Sequence, residues 1–489
     1  MASWIADLQA SMPDGRVSVD EKARAEFAQD RTELPGAMPD AVVRVTSTEE
    51  VVALVRFASR HGVPLVPVVA NTNLGGLALP TRGGIVVDFR TMDRVIEVNE
   101  SDLYMVVEPG VTWEKAKAYL DAHHPKLRLG YPLSPPDSSV LANALLDGLV
   151  NLSVRYGSMS RWLNGVEAVL ADGTVVRTGS AAMSPVWCSG PPLPDLTGLF
   201  INMQGTTGLV TRGAIQLWPS RRLRRRSFYL VRDLEPALST LRELAREEEF
   251  DDLGYLSWPL GKMIFGEERP THRDPSEPVA FIYVDYASDH EQGFRWKRDL
   301  LIELLRARKK SGMWCEGPID VTDLVRIEPK FSKFAEFPTR LDFLLDTPGG
   351  GLTWVGTYGP TSRWEEGARI GVRIMEERGW PPCLVARAML AAHFGVLRFI
   401  SVFDKKDPAQ VSGVLELNQA IVDALLPMGF LPYKTPGWVL ERHAGRLDPG
   451  FAHLLGKVRS TLDPGGIFNP GRWPVPTQTP LPVTGGGNM

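Results

Sequence analysis

Val66-Pro67-Val68-Val69-Ala70-Asn71-Thr72-Asn73-Leu74-Gly75-Gly76-Leu77-Ala78-Leu79-Pro80 is an apolar strand running into a loop of small residues, and Gly84-Ile85-Val86-Val87-Asp88 follows as a second apolar strand. In a dinucleotide fold of the Rossmann type, such glycines open a helix whose N-terminus holds a pyrophosphate. Here they lie between strands. A phosphate bound at this loop would be held by the loop's own N–H groups, as in a backbone nest. The segment reads as a hairpin connection, and its wiring favours a flavin nucleotide over a nicotinamide one.

Upstream, Ala41-Val42-Val43-Arg44-Val45 is a short strand, and residues 1–40 read as a helix-rich lead-in ending in a proline-bearing linker. Ser47-Thr48-Glu49-Glu50 has capping-box spacing and opens a helix with Val51, Leu54, Val55 and Ala58 on one face and Gly62 at its end. Downstream, Val95–Val98 and Tyr104–Glu108 are strands, Pro109-Gly110 a turn, and Trp113 to about His123 a helix. The pattern is α+β with many antiparallel neighbours, unlike the regular alternation of a doubly wound sheet. From 140 to 218 a second β-rich region holds a clear hairpin, Val166–Leu170 and Thr174–Arg177 around Asp172-Gly173. After Arg226 longer helices, Glu235–Glu248 and Phe294–Lys310, alternate with strands such as Val279–Tyr286. They mark a separate α+β lobe lasting to about 429. The tail from Val475 to Met489, rich in Pro, Thr and Gly, is expected to be disordered. No internal repeat is evident.

The chain has 489 residues, 44% hydrophobic and 23% charged, with a formal net charge of −4. That length provides for two or more domains or one large composite, and the charge gives no global reason to expect a nucleic-acid partner. The one basic cluster, Arg221-Arg222-Leu223-Arg224-Arg225-Arg226, reads as a solvated connection between domains, with a grip on phosphates or a partner as the alternative. Cys188, Cys315 and Cys383 are too far apart in sequence to suggest a metal clip, and no metal is expected. Neither a signal peptide nor a membrane-length apolar run is present, so a cytoplasmic protein with no membrane partner is expected.

Three further segments accompany the first loop: Pro135-Pro136-Asp137-Ser138-Ser139-Val140-Leu141-Ala142-Asn143, Gly205-Thr206-Thr207-Gly208-Leu209-Val210-Thr211, and Leu462-Asp463-Pro464-Gly465-Gly466-Ile467-Phe468-Asn469-Pro470-Gly471-Arg472. With Val106–Thr112, the Glu167–Gly179 hairpin and Gly429–Thr435, and in this order, they resemble the vanillyl-alcohol oxidase and p-cresol methylhydroxylase family of FAD enzymes over residues 40–474. The resemblance implies a PCMH-type FAD-binding domain split between residues 1–225 and 430–474, with an α+β cap (substrate) domain, 226–429, inserted between them. It further implies that Ala70, Asn71, Thr72, Asn73, Leu74, Gly75 and Gly76 form the first pyrophosphate loop and that Pro136, Ser139 and Asn143 lie on a second contact. Gly208, Leu209 and Val210 would run beside the flavin, and Asn469 with Arg472 would close over it. Small side chains and free backbone donors are what close approach to a diphosphate requires.

The sequence departs from the phenol-oxidising pattern at three places. Leu74 stands where the first substrate-binding tyrosine would be, Lys434 replaces the arginine beside Tyr433, and Ser134 falls on the active-site aspartate. Lysine keeps the charge but loses the planar fork of donors. Tyr433 is the leading catalytic candidate as an acid–base group, with Lys434 favouring ionised forms beside it, and Arg398 and His393 complete the set. Neighbours in an extended segment point to opposite faces, so Tyr433 and Lys434 reach one atom only through an irregular backbone. Leu397 occupies the position of the oxidase's flavin-linking histidine and residues 70–76 contain none, so non-covalent FAD is expected. The implied activity is hydride removal from an alcohol or benzylic-type carbon of an aromatic or secondary-metabolite substrate, with O2 or an electron carrier as acceptor and a homodimer as the family's plausible assembly. Two other readings stand beside it: a 2-hydroxy-acid dehydrogenase of the D-lactate and glycolate type, whose Gly-Glu-His-Gly segment is missing, and a flavin-binding protein without turnover.

Overall fold

The computed structural model describes residues 3–264, 266–267, 269–271, 273–335, 339–340, 347 and 349–473; the tail 475–489 lies outside them. Three short β-branched runs build the first sheet. Ala41–Arg44, Ile85–Asp88 and Leu65–Val68 lie side by side in parallel, with Val17–Ser18 antiparallel on the outer edge. Helix Thr48–His61 makes the first crossover. Ser47 Oγ accepts from the Glu50 amide at 3.3 Å, Gly62 stops the helix at φ 64°, and Val51, Leu54, Val55 and Ala58 are buried beneath it.

The loop after Val68 needs a correction. Leu65–Val68 and Ile85–Asp88 are parallel neighbours, so the connection is a crossover and not a hairpin. Parallel strands require the chain to return to its starting edge, normally through a helix. Here residues 69–84 do so as an irregular loop, which leaves its amides outside any helix. The C-terminus joins the same sheet. Leu65 N–H donates to Ile467 O at 2.8 Å and Leu65 O accepts from Asn469 N–H at 2.8 Å, and Ile467 and Phe468 are buried with Val43, Val55, Leu65 and Ile85.

A five-stranded antiparallel sheet follows, in the order Val175–Arg177, Leu163–Val169, Leu209–Gln216, Tyr104–Val107, Val95–Asn99. Its hairpin turn has Gly173 at φ 82° and Asp172 Oδ1 accepting from Thr174 N–H at 2.8 Å.

The third sheet has eight strands: Cys315–Asp320, Leu223–Val231, Ala280–Ser288, Asp252–Ser257, Leu384–Met389, Phe394–Asp404, Gly350–Gly359 and Leu431–Pro432, every pair antiparallel. Each half runs strand–helix–strand–strand–helix–strand with its fourth strand beside its first, the first half adding the short helix Trp258–Ile264 between its middle strands, so the topology repeats where the sequence shows no self-similarity. The sheet starts at Leu223 and ends at Pro432, so the strand limits lie a few residues outside the changes of texture read near 226 and 429. The basic cluster is likewise not a solvated connection. Most of it lies in strand Leu223–Val231, where Arg224 and Arg226 meet Asp285 at 3.2 and 2.6 Å and Arg225 meets Asp320 at 2.9 Å; before it, Arg221 meets Asp289 at 2.6 Å. Carboxylates on neighbouring strands neutralise it pair by pair.

Strand alternation sorts this sheet into two faces. Val355, Leu397 and Phe399 pack against helices Leu234–Arg246, Trp364–Glu377 and Pro408–Leu425. On the other face are Leu352, Trp354, Ile400 and Val402, in one apolar cluster with Leu74 of the first loop, and Arg398 lies over the Trp354 ring at 4.1 Å. That face closes the site described next. No helix among the described residues is long and apolar enough to cross a membrane.

Candidate cofactor and substrate site

A cavity of about 1540 Å³, counted out to its open mouth, lies between the three sheets. Its walls come from the crossover loop (Ala70–Leu74), the segment Ser134–Asn143, the turn Gly205–Val210, Asn469, the sheet face carrying Leu352 and Trp354, and Lys434. Of the residues expected to hold a cofactor, Ala70, Asn71, Thr72, Asn73, Leu74, Ser139, Asn143, Gly208, Leu209, Val210 and Asn469 line it.

Several polar groups on these walls have no protein partner. The Asn73 carbonyl oxygen Oδ1 accepts from the Gly75 and Leu77 amides at 3.2 and 3.0 Å, which folds the second half of the loop onto itself. The amides of Asn71, Thr72, Asn73 and Leu74 donate to no acceptor among the described residues, and Asn71 takes the left-handed region at φ 52°. Asn143 Nδ2 and Asn469 Oδ1 are buried and have no hydrogen-bond partner among the described residues. Buried donors and acceptors are normally satisfied, so this set fits an extended, phosphate-bearing ligand such as FAD.

Gly75, Gly76, Pro136 and Arg472 stand behind the wall. A Cβ on Gly75 would collide with the Lys434 carbonyl, and one on Gly76, at φ 66°, would come within 2.6 Å of Leu34. These glycines serve close packing between segments. Arg472 donates to Gly76 O and, at 2.8 Å, to Leu79 O, fixing the loop from the C-terminal side; burial pulls its guanidinium down to about 10. Buried Pro136 accepts from the Glu114 amide at 3.0 Å, and Ser139 Oγ caps the short helix Val140–Leu145 by accepting from Ala142 N–H at 3.0 Å.

Among the described residues, Lys434 is the only charged one on the cavity wall. Its backbone is left-handed at φ 50°, the irregularity that lets it diverge from Tyr433. Nζ donates to Asn143 Oδ1 at 3.3 Å. Although the side chain borders the cavity, the protein around it and the nearby Arg398 charge push the ammonium down to about 8. Tyr433 is buried, stacks on Tyr358 with centroids 4.4 Å apart, and accepts a hydrogen bond from Arg398 Nη2. Tyr433 lines a smaller adjoining chamber that shares Leu74, Trp354 and Lys434 with the main cavity. Arg398 therefore acts on Tyr433 and Trp354, behind the wall. His393 is corrected: it is exposed, in the tight turn where Leu390, Ala391 and Ala392 all have positive φ, and it lines neither cavity.

Sequence reasoning missed four residues. Gln204 lines the cavity and ties the turn to the C-terminal segment, its Nε2 donating to Thr435 O at 3.0 Å and its carbonyl accepting from Asn469 Nδ2 at 2.7 Å; its place just before Gly205-Thr206-Thr207-Gly208 was the available signal. Trp354 was readable only as an apolar strand residue. Tyr358 and Glu33 carried no local signal.

Residues 39–179 match the family model described as FAD binding domain. Glycolate oxidase subunit GlcD of Bacillus subtilis (strain 168) is 32% identical over 45% of this chain and 46% of its own length. The 1'-carboxy-chondrochloren decarboxylase of Chondromyces crocatus is 34% identical over 49% of this chain and 45% of its own. The chain thus spans about half the length of the curated relatives it matches. Among solved structures, p-cresol methylhydroxylase with substrate bound superposes with a TM-score of 0.84 over 96% of both chains at 19% identity. A matched FAD domain, a cavity walled by its loops and unpartnered amides facing it converge on one conclusion: this chain is an α+β flavoprotein of the PCMH-type FAD-binding fold, with FAD as its cofactor.

Proposed function

We propose that the chain is an FAD-dependent oxidoreductase of the vanillyl-alcohol oxidase type, oxidising an alcohol or benzylic-type carbon of an aromatic or secondary-metabolite substrate. The observation that carries this reading is Lys434, the one charged side chain that the described residues place on the cavity wall. Bound FAD supplies two-electron acceptor chemistry. The crossover loop amides with Asn143 and Asn469 hold the cofactor non-covalently; Leu397 lies on the helix-packed face of its sheet, away from the cavity. Leu74, Leu352 and Trp354 give an apolar slot suited to an aromatic ring. Lys434, as neutral amine, takes the proton from the substrate hydroxyl. Arg398 and Tyr433 fix the wall behind it. O2 or an electron carrier completes the cycle.

A 2-hydroxy acid is the second reading, favoured by the same lysine, since one buried cation also suits a carboxylate. The two readings differ in the sign of their pH dependence. As a base Lys434 works deprotonated, so flavin bleaching rises with pH through about 8. As a carboxylate partner it works protonated, so bleaching falls through the same range. A donor screen of aromatic alcohols against D-2-hydroxy acids, followed by absorbance against pH, separates them. Failure of both donor classes to bleach the flavin removes the oxidoreductase reading.

A further inference from the structure

The Lys434 main chain is held more firmly than its amine. Its carbonyl packs so closely on Gly75 that a Cβ there would collide with it, and its φ of 50° keeps the backbone in the left-handed region. Beyond Cα, a flexible four-carbon stem lets Nζ swing unless a partner holds it. Nζ meets such a partner in Asn143 Oδ1, on the short helix Val140–Leu145. Asn143 lines the main cavity and not the smaller chamber, so the contact keeps the amine on the cavity side.

The surroundings of Asn143 hold its amide for this contact. A lysine ammonium only donates, so the amide must present its oxygen to Nζ and not its NH2 group. That orientation leaves Nδ2 on the cavity wall, buried and without a partner among the described residues, where an acceptor on a bound ligand can take it. Gly148 packs against the oxygen: a Cβ there would collide with Oδ1, and the Gly148 N–H donates to the Asn143 carbonyl at 2.8 Å. Next to it, the Asp147 carbonyl accepts from the Tyr358 hydroxyl, and Tyr358 is the ring on which Tyr433 stacks. The segments carrying Asn143 and Lys434 are thus tied by a ring stack as well as by the amine itself.

We propose that Asn143 is a positioning residue that aims the Lys434 amine at the substrate hydroxyl. A neutral amine has two N–H bonds and one lone pair. With one N–H donated to Oδ1, the lone pair turns away from Asn143 and stays open to the substrate's proton. Without that acceptor the stem samples other rotamers, and rate is lost through orientation. Among the charged and titratable groups nearby, Arg398 disfavours the ammonium and Asp147 favours it. The buried Tyr358 phenol is pushed well above its ordinary value and stays neutral. Glu33, 9% exposed and with Oε2 unpartnered among the described residues, lines only the smaller chamber. Asn143 itself is uncharged, so Asn143→Asp adds a carboxylate at the contact.

The inference rests on the base reading of Lys434, and the test keeps the two apart. Wild type, Asn143→Asp, Asn143→Leu and Gly148→Ala are compared, each saturated with FAD. Asp keeps an oxygen acceptor, Leu keeps the bulk without the acceptor, and Gly148→Ala leaves the amide intact but pushes it aside. Without any electron donor, acetylation of Lys434 by acetic anhydride, read by mass spectrometry against pH, reports the fraction of free amine. Asn143→Asp is expected to move that profile up by about one pH unit or more, because a carboxylate beside an ammonium favours the charged form. With the donor found by the screen, bleaching at the high-pH plateau is expected within about threefold of wild type in Asn143→Asp and slower by about tenfold or more in Asn143→Leu and Gly148→Ala. An unmoved labelling profile in Asn143→Asp, an Asp variant as slow as Leu, or wild-type bleaching in either Asn143→Leu or Gly148→Ala overturns the proposal. If wild-type bleaching falls with pH through the labelling midpoint, the base reading has failed and the aiming role with it, while the labelling shift still reports the contact.

Discussion

Lys434 is the charged side chain that the described residues place on the cavity wall, and its environment fixes the sign of what pH does. Burial disfavours the charged form, so the ammonium titrates near 8 rather than at the usual lysine value of 10.5. Lys434→Met is expected to slow flavin bleaching at least about tenfold and to abolish the pH limb near 8, checked by stopped-flow absorbance across pH. Glu33 shows the opposite shift. Its folded carboxyl keeps its proton to higher pH than the unfolded chain's does, so the folded state binds more protons in that window and stability falls as pH rises through it. Glu33→Gln removes this cost. Its thermal midpoint is expected above wild type at pH 7, the gain disappearing below the ordinary carboxyl range; a midpoint lower than wild type at pH 7 contradicts the assignment.

At the level of elements, the site depends on how closely strands and loops approach. Gly356, in strand Gly350–Gly359, lies under the Tyr433 ring, and a Cβ there would come within 2.6 Å of Tyr433 Cε1. Gly356→Ala must therefore displace the ring from Tyr358 and from Arg398. Overpacking of this kind costs about 1–3 kcal/mol, so a lowered thermal midpoint and slower turnover with unchanged flavin content are expected. Equal turnover would show that the Tyr358–Tyr433 stack does not position the wall. The crossover loop carries the same lesson. Its glycines were read as room for phosphate, but their contacts are with Leu34 and the Lys434 carbonyl, and the unpartnered amides belong to residues 71–74.

Across the whole molecule, the cavity exists only where remote segments meet. Arg472 and Asn469 from the end of the described chain grip the first loop, Gln204 bridges the second sheet to Thr435, and the Asp30–Glu33 segment reaches the third sheet through Leu352 N–H to Arg31 O at 2.8 Å. Ligand that binds only this assembled form stabilises it, by about 2.7 kcal/mol at a hundredfold excess over Kd. Arg472→Met cuts the link to Gly76 and Leu79. Weaker FAD retention on gel filtration and a smaller rise in thermal midpoint on adding FAD are expected; retention equal to wild type would mean the loop holds its shape without the arginine.

The Ser47 cap, the Asp172-Gly173 hairpin and the small-residue loops were legible in the sequence because each is set by neighbours a few residues away: a side-chain oxygen within reach of an amide, a turn that only glycine tolerates, an absence of bulk. The Tyr433–Lys434 pair came into view by a different route, the resemblance of Gly429–Thr435 to a family segment, and the structure places Lys434 on the cavity wall and Tyr433 behind it. What only the tertiary structure decided is which of these segments face one another. Pairing direction made the first loop a crossover, carboxylates on adjacent strands absorbed the arginines of residues 221–226, and a tight turn carried His393 to the surface. Glu33 was silent because burial and the loss of a hydrogen-bond partner are properties of surroundings assembled from distant parts of the chain, and no local pattern encodes them.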